Sequence, residues 1–182
     1  SDDLPVFCER GPTGEWEDIQ AVNLSVSWSA ATAREMSAAV RGHEFHVVWP
    51  TQSVSDMPTE QGPRRQWLGH AWRDASGKWQ GPVENKNIAL DGPPSLIAFG
   101  GKLAIVYREA SDDEAARSAE GASPRLAYAE FTQDGQWHVV SRPVLPPRGE
   151  GDATVAEYAL ARSGGRHVLA VRYGDNAVWA FA

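Results

Sequence analysis

The chain has 182 residues, 17 of them basic and 24 acidic, for a net charge of −7. That length suits one domain, and the acidic balance excludes the basic footprint of nucleic-acid binders and repels anionic lipid surfaces. A single cysteine, Cys8, excludes an internal disulfide and a cysteine-based zinc site, and no apolar run approaches the roughly 20 residues of a membrane-spanning helix.

From the N-terminus, Pro5 to Glu9 alternates as a strand and passes through Gly14-Glu15-Trp16 into a second strand, Trp16 to Ala21. Ala30 to Val40 carries helix formers but ends in strand-like alternation from Ser37. Strands are then expected over Ser37 to Val40, Phe45 to Trp49, Trp67 to Arg73 and Trp79 to Val83. The next set is Leu96 to Phe99, Leu103 to Arg108, Leu126 to Thr132 and Trp137 to Pro143. A third set begins at Tyr158, continues at His167 to Arg172 and stops after Ala177 to Phe181. Between them, Asp112 to Ala119 has the composition of a short loop helix without an apolar stripe.

Two signals repeat at roughly 60 residues. One is a polar turn ending in Gly-x-Trp, at Gly14-Glu15-Trp16, Gly77-Lys78-Trp79 and Gly135-Gln136-Trp137. The other is a glycine turn before an apolar strand, at Gly42, Gly101 and Gly165. The period predicts an all-β fold, a β-propeller-type array of four-stranded antiparallel blades, about three per chain with incomplete ends. The single domain divides into a partial blade 4–21, blades 37–84 and 95–145, and a partial blade 155–182. Three blades do not close a ring of about four to eight. The unpaired ends imply a homo-oligomer or a partner chain completing the propeller, or a fragment of a longer protein.

The segment Gly92 to Arg108, with Arg125 to Phe131, resembles a blade of the sialidase-like and fungal-lectin-like propeller repeats. Asp134-Gly135-Gln136-Trp137 fits their hairpin with one residue fewer, and Asp74 to Trp79 is similar to a degenerate Asp-box hairpin. The resemblance implies a structural role for these turns, with the Trp packed between sheets and the Asp capping the hairpin. It covers most of the chain as a repeat pattern and does not specify activity.

An antiparallel meander places the strand one–two and three–four turns at one end. The long two–three loops, Pro50 to Gln66 and Glu109 to Arg125, fall at the other. Trp49, Arg108 and Arg172 each stand seven residues after their glycine and end the second strands at that loop end. With Tyr107, Glu109, Tyr173, Trp72 and Trp179 they form an expected ligand-binding set. Aromatic faces stack on the apolar face of a sugar ring, and Arg and carboxylate groups hydrogen-bond its hydroxyls. Core packing between blades is the competing role for each aromatic residue.

Arg108, Arg172, Tyr107, Tyr173 and Glu109 also have the residue types of a sialidase centre, but their repetition along the chain suits binding better than one asymmetric catalytic site. His43, His46, His70, His138 and His167 form no metal motif, and the acids Asp112, Asp113, Glu114 and Glu120 have no calcium-loop spacing. The expectation is therefore a non-catalytic, multivalent carbohydrate-binding protein that meets a glycan or glycoprotein and takes no cofactor. It suits a secreted or extracellular setting, or a cytoplasmic one. A glycoside hydrolase fragment and a protein-interaction scaffold are the alternatives.

Overall fold

A computed structural model describes residues 6–8, 12–16, 20–21, 35–51, 66–110, 125–143, 155–174 and 178–181. Short β1 (Val6–Phe7) and β2 (Gln20–Ala21) pair antiparallel at the N-terminus. A first four-stranded meander follows, made of β3 (Ser37–Arg41), β4 (Glu44–Thr51), β5 (Gln66–Arg73) and β6 (Trp79–Leu90). The second is β7 (Ser95–Phe99), β8 (Lys102–Arg108), β9 (Leu126–Phe131) and β10 (Trp137–Ser141). The third sheet has β11 (Val155–Ser163), β12 (Arg166–Tyr173) and β13 (Val178–Phe181). Every pairing is antiparallel and joins neighbours in sequence, and no helix occurs among the described residues. So there is no helix long and apolar enough to cross a membrane among them.

The strand expected from Ser37 is β3, which pairs along its length with β4. Other boundaries change: the strand expected over Trp137 to Pro143 ends at Ser141. The fourth strand of the first sheet runs to Leu90, past the expected end at Val83. The β5–β6 register shifts between Trp67 and Leu68. At this irregularity buried Asn85 donates its side-chain amide to the Leu68 carbonyl, so a polar residue is satisfied inside the strand. The long loops after β4 and β8, and the candidate helix Asp112 to Ala119, lie outside the described residues.

The Gly-x-Trp turns share one conformation. Gly14, Gly77 and Gly135 have φ of 85°, 84° and 78°, a left-handed geometry that glycine adopts without a Cβ penalty. In both complete copies the first turn residue, Asp74 or Thr132, donates its N–H to the carbonyl four residues on. The two turns are therefore equal in length. The acid has moved within them, from the first position at Asp74 to the third at Asp134. Asp74 accepts from Ser76, Lys78 and Gln80, and Asp134 from Thr132 and Gln136.

The sheets stack face to face. The front of the first sheet (Val48, Leu68, Ile88, Leu90) packs on the back of the second (Leu103, Ile105, Tyr107, Ala127, Ala129, Phe131, Trp137). The front of the second, with Val106 and Leu126, packs on Val155, Leu169, Val171 and Tyr173 of the third. Strict alternation lets one sheet serve both interfaces. The first strands lie side by side, β3 against β7 and β7 against β11. Equivalent serines tie them: Leu96 donates its N–H to Ser37 Oγ at 2.9 Å, and Leu160 donates to Ser95 Oγ at 3.2 Å.

Candidate functional site

The hairpin register corrects the expected binding set. The two-residue turns are Gly42-His43, Gly100-Gly101 and Gly164-Gly165, because Arg41 pairs with Glu44, Phe99 with Lys102 and Ser163 with Arg166. Trp49 is thus equivalent to Tyr107 and Val171, not to Arg108 and Arg172. A slip of one residue turns a side chain to the opposite face of a strand. Trp49 is 3% exposed and packs with Val47 and Ala71. Its indole lies over Gly69, where an added Cβ would come within 2.6 Å of the ring. Tyr107 is 1% exposed, and burial pushes its phenol up to about 12, with the Glu109 charge adding to the rise. Tyr173 is 2% exposed. These three rings belong to the core and offer no face to a ligand.

The charged members of that set are engaged. Arg108 donates to the Val155 carbonyl, pairs with Asp91 at 2.9 Å and gives its backbone N–H to Tyr158 Oη, clamping the second sheet to the third. Glu109 receives both Arg142 Nε (2.9 Å) and Nη2 (2.6 Å), and this hydrogen bonding lowers its carboxyl below the ordinary value. Arg172 reaches Glu157 across its own hairpin at 2.8 Å. Trp179 lies opposite Val171 in β13. Among the described side chains, the expected set does not converge on one exposed pocket. Only Trp72, half-buried at the turn end, enters the clusters described next.

At the turn end of the first–second cleft, the first sheet presents Arg41, Glu44, His46, His70 and Trp72. The second presents Phe131 and Trp137. His46 and His70 are buried, and His46 Nδ1 lies 3.0 Å from His70 Nε2. His46 Nε2 approaches Glu44 Oε2 at 3.3 Å, and Glu44 takes two hydrogen bonds from Arg41. Trp137 Nε1 donates to His70 Nδ1 at 3.3 Å. Trp72 stacks over His70 with ring centres 5.1 Å apart. Burial depresses both imidazoles, His70 to about 3 with the neighbouring charges of His46 and Arg41 adding to the effect. Burial would raise Glu44, but hydrogen bonds from Arg41 and His46 outweigh it and leave the carboxyl lowered.

The second–third cleft uses the same positions with different chemistry. Phe99 stands where Arg41 does, Lys102 for Glu44, Ala104 for His46, Tyr128 for His70 and Glu130 for Trp72. Tyr128 donates to Glu130 at 3.0 Å, and Lys102 reaches the other carboxylate oxygen at 3.2 Å. From the third sheet His167 meets Phe99 edge-on at 4.2 Å, and the Arg162 guanidinium lies 5.4 Å from the Phe99 ring centre. Phe99, Tyr128, Glu130 and His167 are all half-buried, so ring faces and polar groups reach solvent together. Burial raises the Tyr128 phenol, and the hydrogen bond to Glu130 raises it further, so the hydroxyl stays protonated and donating.

Of the residues in these two clusters, the expected binding set contained Trp72 alone. His46 and His70 both lie within expected strands, but their meeting depends on the β4–β5 register. That register sets His46 opposite Trp72 and His70 opposite Val48, leaving the histidines diagonal neighbours. Only the pairing supplied the partner of His46. Among the described residues no group of three or more His, Cys, Asp and Glu is arranged to hold a metal ion. No protein-family model matches the chain, and no curated protein matches its sequence significantly.

Proposed function

We propose that this chain is a non-catalytic, propeller-type carbohydrate-binding module, with its sugar contact at the rim of the second–third cleft. The single observation that carries the reading is the half-buried group Phe99, Tyr128 and His167 beside Glu130, Lys102 and Arg162. Ring faces suit the apolar side of a pyranose, and the carboxylate and cations suit its hydroxyls. The propeller reading draws support from the face-to-face stacking of meanders with their first strands adjacent. The repeat resemblance to sialidase-like and fungal-lectin-like blades is retained on the same ground. Association of copies would make weak shallow sites multivalent.

The burial of Tyr107 and Tyr173 and the pairing of Arg108 and Arg172 support binding over a sialidase-type reaction. A tyrosine nucleophile must reach its substrate, and a substrate-clamping arginine must have donors to spend on it.

A glycan array followed by calorimetry on the best saccharide tests the reading. Phe99→Ala is expected to weaken binding about tenfold, a loss of about 1.4 kcal/mol. Glu130→Gln is expected to weaken it less. An array with no saccharide retained at millimolar concentration, or affinity unaltered in both variants, removes the proposal.

A further inference from the structure

We infer that the histidine pair is an acid-released latch between the first and second sheets, closed only while both imidazoles are neutral. The chemistry of the chain's two ends fixes this. An indole N–H can only donate, and a carboxylate can only accept. Trp137 therefore makes His70 Nδ1 an acceptor, which places the His70 proton on Nε2. That proton points at His46 Nδ1, which must accept it, so the His46 proton also sits on Nε2 and goes to Glu44. Arg41 completes the line by donating to Glu44. Every ring nitrogen in it is used once, in one direction.

One proton added to either imidazole breaks the line. A charged His46 turns an N–H toward the N–H of His70. If His70 moves its own proton to Nδ1, that N–H meets the indole N–H of Trp137. Either arrangement sets two donors face to face in a site that water does not reach, since both histidines are buried. Among the described residues, the charged groups that reach the pair are Arg41 from β3 and Glu44 from β4. β5 adds Trp72, β9 Phe131 and β10 Trp137, none of them ionised. On β6, Glu84 and Lys86 lie 3.6 Å from each other. The pair's own bond across the cleft is His70–Trp137, so the first–second interface is where protonation acts.

The sign follows from linkage. Both histidines are depressed in the folded chain, while an exposed histidine has a pKa of about 6.5. The opened state therefore binds more protons. The latch is at full strength above pH about 6.5 and weakens as the pH falls below it, by at most about tenfold in the opening equilibrium per pH unit for each histidine. The second–third cleft has Ala104 and Tyr128 at these positions, and neither takes up a proton in that range.

The two serine bonds make the experiment internal to one molecule. The Leu96 amide reports the first–second interface and the Leu160 amide the second–third. Hydrogen exchange, corrected for intrinsic rates, is followed from pH 7 to 4.5 on the full chain. Leu96 protection is expected to fall steeply below pH 6.5 while Leu160 protection holds, and His46→Gln/His70→Gln, which keeps one donor and one acceptor at each position, is expected to flatten the Leu96 curve. Long-range nitrogen–proton correlation on the unaltered protein is expected to show both rings protonated at Nε2 alone, a readout that does not depend on the variant folding. Equal loss at both amides, no loss at either, or a ring carrying its proton on Nδ1 overturns the latch.

Discussion

The two clefts are built on one plan and filled with opposite materials. Between the first and second sheets the turn end is closed by His46, His70 and Trp137, the last of which is 0% exposed. Between the second and third, Phe99, Tyr128, Glu130 and His167 leave the same end half open. The backbone hardly differs: strand pairing, turn length and the serine bond repeat. The difference lies in side-chain size and hydrogen-bond capacity. A repeat backbone fixes the cleft, and whether the cleft is a joint or a mouth depends on about five side chains.

The largest expected effect breaks the closed cleft. Trp137→Ala removes a fully buried indole and leaves the His70 acceptor without its donor. It is expected to cost about 3–5 kcal/mol in denaturant unfolding. Tyr128→Ala, at a half-buried position of the open cleft, is expected to cost clearly less. Similar losses would mean that the clefts share the stabilisation equally.

Gly69→Ala comes next. Its Cβ would meet the buried Trp49 ring, and overpacking of this kind costs about 1–3 kcal/mol. The equivalent position in the second sheet already carries Ala127, opposite Tyr107. Trp49→Tyr in the Gly69→Ala background is expected to recover part of the loss, because it copies the second sheet's pairing.

Ser37→Ala and Ser95→Ala are each expected to cost about 1 kcal/mol, since each leaves a strand-one amide without its acceptor. Equal values would mark the serines as common features of the repeat. A larger loss for Ser37 would couple it to the histidine latch. The third sheet has Ala159 at this position.

The smallest effect concerns the two hairpin acids. Hydrogen bonds from Ser76 and then Gln80 hold Asp74 well below the usual carboxylate range, and the Thr132 hydroxyl lowers Asp134. Stability from a depressed carboxylate is present above pH about 4 and lost as the pH falls further. Asp74→Ala is therefore expected to flatten the acid limb of stability below pH 4 more than Asp134→Ala does, measured by chemical denaturation at stepped pH. The histidine step lies higher in pH, so the two are separable in one series.

The strand pattern, the turn positions and the antiparallel order were legible in the chain alone. Alternation and left-handed glycines are local signals, and a meander needs no long-range information to set its order. Gly14, Gly77 and Gly135 mark the same turn because only that residue adopts φ near +80° without strain. Counting from Gly101 and Gly165 failed by one residue, because in each Gly-Gly pair the first glycine is the equivalent of Gly42. Which rings are core and which meet solvent required the neighbouring sheet. Trp16, Trp79 and Trp137 occupy one sequence position, yet Trp16 is 68% exposed and Trp137 fully buried. Burial belongs to a pair of surfaces, and a sequence repeat describes only one of them.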